Sequence, residues 1–362
     1  MVEALDNSVR PHRAARVEAR LHAGLGRRLR ARGWTPQVVP YVGYGADGWV
    51  RVLARVLLAP PGSRRVEVED GRGWRRFFCA SAADVPVTIQ LGEQTHVVTS
   101  VRDGYVDVRL ESDLEPGWNT ARLATDDADP VDVPVRIVAR GPQLGLVSDI
   151  DDTVVVTMLP RPLMALRNAF LLRESARQPV PGMAELYAEI VAAQPDIFVV
   201  YLSTGAWNSA AALGGFLRRH GYPAGPLLLT DWGPTQTGWF RSGQEHKREQ
   251  LRRLFTDLPD VRWLLVGDDG QHDPSLYAEA AAAEPDRVLG VAIRKLSAAE
   301  QVISTGTPAP KDSAASADAT SPGGPMSATD GFGLREQLRE RRVILSPGPS
   351  SEHATTGDSS LA

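Results

Sequence analysis

Cysteine is nearly absent from this chain, and its scarcity excludes two kinds of site. The 362 residues include one cysteine, Cys79, so neither an intramolecular disulfide framework nor a multi-cysteine zinc site is expected. No uninterrupted apolar run approaches the ~20 residues of a membrane-spanning helix. The first residues, MVEALDNSVRPH, lack the charged-then-apolar pattern of a signal peptide. We therefore expect a cytoplasmic protein, with peripheral contact at the inner face of the membrane as an open alternative.

Lysine is also scarce, because only Lys247, Lys295 and Lys311 among the 40 basic residues are lysines. The formal net charge is −4, so bulk positive charge does not draw nucleic acid to this chain and no nucleic-acid partner is expected. Hydrophobic residues make up 43% and charged residues 23%, which is typical of a folded protein. The length allows about two domains and a tail.

The first segment, residues 1–34, is predicted to be a basic amphipathic helix. Residues 8–32 contain eight arginines. Apolar residues recur there at every fourth position, at Val17, Leu21, Leu25 and Leu29. That spacing keeps them near one face of a helix. We favour packing of this helix on the next domain, with attachment to an anionic membrane surface as the alternative.

Residues 35–142 are predicted to form an all-β sandwich. Apolar and polar residues alternate with period two around Val87–Leu91, Val106–Leu110 and Val131–Ile137, as in half-buried strands. Turn dipeptides separate these runs, and many short strands spaced this way favour two packed antiparallel sheets. The segment Gly43-Tyr44-Gly45 is interpreted as a tight turn with positive φ.

Residues 143–303 are predicted to be an α/β domain. Apolar strand candidates that do not alternate, such as Leu144–Ile150, are followed by stretches with helical spacing, such as Met183–Ala193. This pattern indicates a parallel sheet with helices on both faces, and such sheets bind ligands at the carboxyl ends of their strands. The tail, residues 304–362, is rich in Ser, Thr, Pro, Ala and Gly and is predicted to be disordered, apart from a short helix considered at 334–345.

Three carboxylates follow the first strand of this α/β domain. Asp149, Asp151 and Asp152 occupy three of four consecutive positions. Like charges so close together repel one another, and burial penalises each of them. A divalent cation with oxygen ligands is the simplest compensation, so we infer a metal site here rather than a solvated acidic turn.

Three later segments carry further chemistry near predicted strand ends or helix starts. Ser203-Thr204-Gly205 offers a hydroxyl and backbone N–H groups suited to phosphate, although a plain turn or helix cap is equally compatible. Lys247 begins a helix, where its compact ammonium can neutralise a carboxylate and a phosphoryl oxygen. Asp268, Asp269 and Asp273 follow another strand and suit a hard cation.

In this order the residues resemble the four motifs of the haloacid dehalogenase (HAD) superfamily. Asp149 and Asp151 match the first motif in its Asp-x-Asp-x-Thr form, Ser203 the second, Lys247 the third, and Gly267-Asp268 with Asp273 the fourth. The amino-acid sequence around these motifs resembles that of the actin-patch-type phosphatidate phosphatases and their bacterial relatives. The similar stretches are SDIDDT (148–153), YLSTGAW (201–207), HK (246–247) and GDDGQHDP (267–274).

The resemblance implies a HAD-like Rossmannoid fold and a Mg²⁺-dependent phosphatase that works through an aspartyl-phosphate. Asp149 would be the nucleophile and Asp151 the acid and base. Ser203 and Lys247 would complete the catalytic set, and Thr153, Thr204 and Gly205 would surround the phosphoryl group. The implied metal ligands are Asp149, the backbone carbonyl of Asp151, and Asp268 with Asp269 or Asp273. Asp269 stands where relatives often have serine, so the choice among the last three stays open.

The segment between the first two motifs bears on the substrate. Residues 154–196 are too few for a large cap domain, so we expect an open site. Residues 158–177 are apolar with arginines spaced along them, as in interfacial helices, although a helix covering its own domain is equally compatible. The resemblance implies hydrolysis of phosphatidate to diacylglycerol. A phosphoprotein or small-metabolite phosphatase is the alternative, and a non-catalytic lipid or protein adaptor is less favoured.

Overall fold

The computed structural model describes residues 24–62, 81–156, 178–230, 243–270, 272–297, 300–301 and 324–344. The predictions for residues 1–23 and 158–177, and the part of the all-β prediction that covers residues 63–80, therefore lie outside the described residues. The strands are β1 Thr35–Ala46, β2 Trp49–Ala59, β3 Pro86–Leu91, β4 Gln94–Thr99, β5 Tyr105–Glu111, β6 Gly117–Ala124, β7 Val131–Val138, β8 Gln143–Asp149, β9 Val155–Val156, β10 Gln178–Pro179, β11 Phe198–Ala206, β12 Leu227–Thr230, β13 Val261–Asp268, β14 Val288–Arg294 and β15 Met326–Ala328. The α-helices are α1 Met183–Ala193, α2 Ala210–Arg219, α3 Gly243–Asp257, α4 Asp273–Ala283 and α5 Gly331–Glu340. Residues 24–30 are also helical.

The first seven strands form one largely antiparallel sheet in the order β4-β3-β6-β7-β1-β2-β5. Only the β1–β7 pair is parallel. The edge strands β4 and β5 are joined by residues 100–104, and such a connection reaches about 22 Å at most. Six strand spacings in a flat sheet would span about 29 Å, so the sheet must curl. Its concave side encloses an apolar core to which all seven strands contribute. The described strands thus join in one curled sheet instead of the two sheets of the expected sandwich.

The Gly43-Tyr44-Gly45 segment lies within β1, so its interpretation as a positive-φ turn is wrong. Neither glycine has a positive φ. A Cβ on Gly43 would lie 2.6 Å from the carbonyl oxygen of Arg51, and one on Gly45 would collide with the carbonyl of Trp49. Cross-strand crowding therefore explains both glycines, and Tyr44 between them is completely buried.

A second sheet has six strands in the order β12-β11-β8-β13-β14-β15. Every neighbouring pair in it is parallel. Its central strands are apolar on both sides because helices cover both faces: α1, α2 and α5 pack on one, and α3 and α4 pack on the other. The curled sheet also packs on this second face through Tyr44, Leu53 and Val138. The chain is therefore mixed α/β, and no helix of the described segments is long and apolar enough to cross a bilayer.

The prediction of a disordered tail is wrong for residues 324–344. Strand β15 pairs with β14 at the edge of the parallel sheet, and α5 packs against α1 with Leu334 and Leu338 fully buried. Asp330 caps α5, since its side chain accepts a hydrogen bond of 2.9 Å from the backbone N–H of Gly333. The short helix considered at 334–345 is present as α5 at Gly331–Glu340, whereas the compositional bias of the tail concealed strand β15 before it.

If α5 is part of the folded unit, Leu338→Ala destabilises the protein by about 2–5 kcal/mol, because it leaves a cavity in the core. Urea unfolding measures the change. Glu336→Ala is the matched control on the exposed side of the same helix and should cost less than about 0.5 kcal/mol. Equal stabilities for wild type and the Leu338 variant would show that α5 does not contribute to the core.

Candidate active site

Three buried carboxylates meet at the carboxyl edge of the parallel sheet. Asp149 ends β8, and Asp268 ends the neighbouring strand β13. Asp273 is the first residue of α4, which follows β13 after a short loop. Each residue is at most 1% exposed, and one oxygen from each carboxylate lies within 4.8 Å of the other two. The topology therefore brings together acids that are 124 positions apart.

Lys247 lies between two of these acids. It is in the second turn of α3, and its Nζ is 2.6 Å from Asp149 Oδ1 and 2.6 Å from Asp273 Oδ1. Burial alone would lower the pKa of Lys247, but the carboxylates of Asp149, Asp273 and Asp268 together raise it above its ordinary value. The ammonium is therefore held in its charged form inside the protein.

The three carboxylates outnumber the ammonium, and their pKa values reflect this imbalance. Burial raises the pKa of Asp149 to about 7, with the ammonium of Lys247 opposing the shift and the carboxylates of Asp273 and Asp151 adding to it. Burial also raises the pKa of Asp268 well above its usual range, and Asp273 and Asp149 reinforce this change. The cluster therefore favours additional positive charge.

Strand β11 places Ser203 beside these acids. Ser203 is fully buried, and its hydroxyl donates a 2.9 Å hydrogen bond to Asp151 Oδ2. The Ser203 hydroxyl oxygen also accepts a 2.9 Å hydrogen bond from the backbone N–H of Gly205. Thr230 on the next strand donates to the carbonyls of Thr204 and Gly205, at 3.0 and 3.1 Å. The loop after Ser203 is thus held in place by its own strand and by β12.

The turn after β8 has a backbone conformation that is uncommon for its residues. Asp152 has a φ of +59°, in the left-handed region that non-glycine residues rarely adopt. Its N–H donates to the carbonyl of Val155 at 2.8 Å. Thr153 is fully buried, and its hydroxyl donates to Asp149 Oδ2 at 3.3 Å. Thr153 therefore supports the Asp149 carboxylate.

The donor atoms fit a divalent cation. Asp268 Oδ2 and Asp273 Oδ2 are buried, and neither has a hydrogen-bond partner in the described part of the chain. A Cβ on Gly267 would lie 2.5 Å from Asp273 Oδ2, so glycine leaves room for that oxygen. Hard oxygen ligands of this kind suit Mg²⁺. The residues present are therefore compatible with the expected metal.

Asp269, which the sequence left open as an alternative metal ligand to Asp273, lies outside the cluster of Asp149, Asp268 and Asp273. Its Oδ1 accepts a 2.8 Å hydrogen bond from the backbone N–H of Leu296. Burial raises its pKa, although this hydrogen bond opposes the shift. Adjacent residues at a strand end point in different directions, and here Asp268 faces the acids while Asp269 supports the loop after β14.

Two side chains that support the site were given no role on the basis of the sequence. Arg294 ends β14 opposite Asp268 in the strand register and is 4% exposed. Trp207 follows the Ser203 loop, and its ring stacks on Tyr41 of the curled sheet with centroids 4.7 Å apart. The position of an arginine at the end of an apolar strand could have indicated the role of Arg294. The Trp207 contact joins two sheets, so no local sequence pattern could have indicated it.

Comparisons with known proteins point to one family. Residues 144–295 match the family model described as phosphatidate phosphatase APP1, catalytic domain. An uncharacterized protein of Schizosaccharomyces pombe is 27% identical over 152 residues, 42% of this chain and 25% of that protein. Phosphatidate phosphatase APP1 of Saccharomyces cerevisiae is 25% identical over 197 residues, 53% of this chain and 33% of the yeast protein. The matches thus span a third or less of these relatives.

Solved structures add only weak likenesses. The HAD domain of effector protein Lem4 from Legionella pneumophila aligns with a TM-score of 0.29 and 15% identity, covering 43% of this chain and 86% of that one. A carbohydrate acetylesterase from Xanthomonas citri aligns with a TM-score of 0.28 and 11% identity, covering 75% and 73%. Scores this low carry no argument.

The family match covers the strands that bear Asp149, Ser203 and Asp268 and the helix that bears Lys247. It is consistent with the superfamily that the four motifs resemble. Residues 144–295 of this chain are thus similar to APP1-type phosphatidate phosphatase catalytic domains.

Proposed function

We propose that this protein is a Mg²⁺-dependent phosphatase of the HAD type that hydrolyses a phosphate monoester. The observation that carries the proposal is the Lys247 ammonium, buried 2.6 Å from both Asp149 and Asp273 beside carboxylate oxygens that have no partner among the described residues. A phosphoryl group and a cation both need such fixed charges. Five parallel strands with helices on both faces support a Rossmannoid fold for residues 143–303, and β15 adds a sixth strand from beyond those bounds.

The reaction is proposed to proceed in two displacements at phosphorus. A carboxylate oxygen of Asp149 forms a bond to phosphorus while the bond to the ester oxygen breaks, giving an aspartyl-phosphate. Asp151 gives its proton to the leaving alkoxide. A water molecule then attacks the same phosphorus and gives a proton to Asp151, and cleavage of the P–O bond to Asp149 releases phosphate. The hydroxyl of Ser203, 2.9 Å from Asp151 Oδ2, orients that carboxyl group.

Charge compensation comes from the residues around Asp149. Lys247 balances its carboxylate at rest and is placed to balance phosphoryl oxygens during the reaction. Asp149, Asp268 and Asp273 would hold the metal, with the carbonyl of Asp151 as a further ligand implied by the resemblance. Bound Mg²⁺ would supply the positive charge that offsets the transferring phosphoryl group. Ser203, Thr204 and Gly205 are proposed to contact the phosphoryl oxygens.

Phosphatidate is the proposed substrate, with diacylglycerol as the product. The support is the match of residues 144–295 to a family model named for phosphatidate phosphatase and the similarity to the yeast enzyme of that name, together with the basic segment 8–32 and the apolar, arginine-bearing segment 158–177. Either segment would give peripheral contact with an anionic membrane surface, and we propose the cytoplasmic face. A phosphoprotein or small-metabolite phosphatase is the second candidate, because the site chemistry needs only a monoester.

Asp149→Asn should lower kcat for p-nitrophenyl phosphate by about a thousandfold or more, because the amide cannot act as the nucleophile. Asp269→Asn is the matched control, since its amide oxygen can still accept from the N–H of Leu296, and its kcat should stay within about threefold of wild type. Circular dichroism checks that both variants are folded. Normal turnover by the Asp149 variant would falsify the nucleophile assignment.

Asp268→Asn should stabilise the protein in EDTA by about 1–3 kcal/mol, because the amide removes a buried charge and can donate to a neighbouring carboxylate. Urea unfolding in EDTA and then in Mg²⁺ measures this. Added Mg²⁺ should raise the stability of wild type more than that of the variant. A variant less stable than wild type in EDTA, with an unchanged response to Mg²⁺, would contradict the metal assignment.

Substrate class is tested by comparing kcat/KM for four monoesters: phosphatidate in mixed vesicles, lysophosphatidate, a phosphopeptide and glucose 6-phosphate. We expect phosphatidate to exceed the water-soluble esters by at least about tenfold, because binding at the interface concentrates enzyme and lipid. Glutamine at Arg10, Arg13, Arg16 and Arg20 should reduce only the rate on vesicles if residues 8–32 bind the membrane. Faster turnover of the phosphopeptide or the sugar phosphate would favour the second candidate.

A further inference from the structure

Arg294 is a buried arginine that the proposed mechanism does not use. It ends β14 at the same edge of the sheet as the three carboxylates, and its register partner is Asp268. The side chain is 5% exposed. A guanidinium is rarely buried to this extent unless its donors are paired. The acceptors that surround it therefore indicate what it does.

The guanidinium connects three separate segments of the chain. Nη1 donates to the carbonyl oxygen of Asp152 at 2.8 Å. Nε donates to the carbonyl of Thr329, just after β15, at 3.2 Å. Nη2 forms an ion pair of 2.7 Å with Glu300. One planar group thus joins the turn that follows Asp151 to two segments on the carboxyl side of β14.

The contact with Asp152 is made where the backbone needs support. The φ of +59° at Asp152 lies in a region that residues other than glycine rarely adopt. That turn sets the relative positions of the Asp149 and Asp151 carboxyl groups, which are one residue to either side of Ile150. Surrounding contacts must hold such a conformation, and Arg294 supplies a charge-assisted hydrogen bond to it.

We propose that Arg294 is a positioning residue that holds the Asp151–Thr153 turn in its active geometry and couples this turn to Glu300 and the β15 segment. The inference rests on the proposed function, and it assigns a role to a residue outside the four motifs. Lysine cannot replace arginine here, because a single ammonium lacks the planar fork that reaches three acceptors in different directions.

The chain offers a matched control at the other end of the same strand. Arg287 immediately precedes β14, and it also donates to backbone carbonyls, those of Phe255 and Leu258, each at 2.7 Å. The amino ends of the strands lie at the opposite edge of the sheet from the acids. Loss of Arg287 therefore removes a comparable set of hydrogen bonds without touching the Asp152 turn.

The test compares full-length wild type, Arg294→Met, Arg294→Lys and Arg287→Met in the presence of Mg²⁺. Steady-state kinetics with p-nitrophenyl phosphate gives kcat and KM separately. Hydrogen exchange of peptides covering residues 148–156 reports on the turn independently of catalysis. We expect kcat to fall at least about tenfold in both Arg294 variants with KM within about threefold, because a charged hydrogen bond to the turn is lost or misplaced. Exchange in 148–156 should rise in both, and Arg287→Met should change neither.

Each result decides the proposal. If Arg294→Met does not fold, Arg294→Lys, which keeps the charge and most of the side chain, gives the answer. Wild-type kcat and unchanged exchange in a folded Arg294 variant would overturn the positioning role, as would an equal loss of kcat in Arg287→Met. If wild type hydrolyses none of the monoesters, the proposed function fails, while the exchange data on residues 148–156 still test whether Arg294 holds the turn.

Discussion

The ammonium of Lys247, enclosed between Asp149 and Asp273 at 2.6 Å from each, is the interaction on which the site depends. Removing charges from water costs several kcal/mol per ion, and a buried pair recovers that cost only with good geometry. Here one ammonium faces three clustered carboxylates, so the recovery is incomplete. The remaining negative charge is a cost to folding and an asset for binding a cation.

The rest of the protein supplies the rigidity that such a site requires. Parallel strands β8, β11 and β13 are neighbours, so their carboxyl ends deliver Asp149, Ser203 and Asp268 to one place. Helix α3 delivers Lys247 near its start, and its last residue, Asp257, accepts hydrogen bonds from Tyr44 and Arg109 of the curled sheet at 3.3 and 2.9 Å. The antiparallel sheet therefore braces the helix that carries the ammonium.

Much of the α/β region could be predicted because local patterns encode it. The strand predicted at 144–150 is β8 at 143–149, and the helix predicted at 183–193 is α1 with the same bounds. Charged residues at apolar strand ends predicted the acidic cluster, since a parallel sheet gathers those ends at one edge. The curl of the first sheet could not be predicted because strand pairing joins residues far apart in sequence, as in the parallel pairing of Gly43 with Val135. Asp268 and Asp269 could not be distinguished, because only the local backbone decides which carboxylate faces the cluster.

Two features show how far the folded unit extends along the chain: the covering of the β14 edge of the parallel sheet, and the pairing of the buried Arg294 guanidinium. The family match ends at residue 295, where β14 would be an open edge of the parallel sheet, with N–H and C=O groups free to pair with another chain. Strand β15 covers that edge, and α5 anchors it through Leu334 and Leu338. The segment just after β15 also provides the Thr329 carbonyl that accepts from Arg294, whose other donors reach Asp152 and Glu300. A chain cut at residue 295 would therefore expose a strand edge and leave a buried guanidinium without two of its acceptors, so residues 324–344 belong to the same physical unit as the acids.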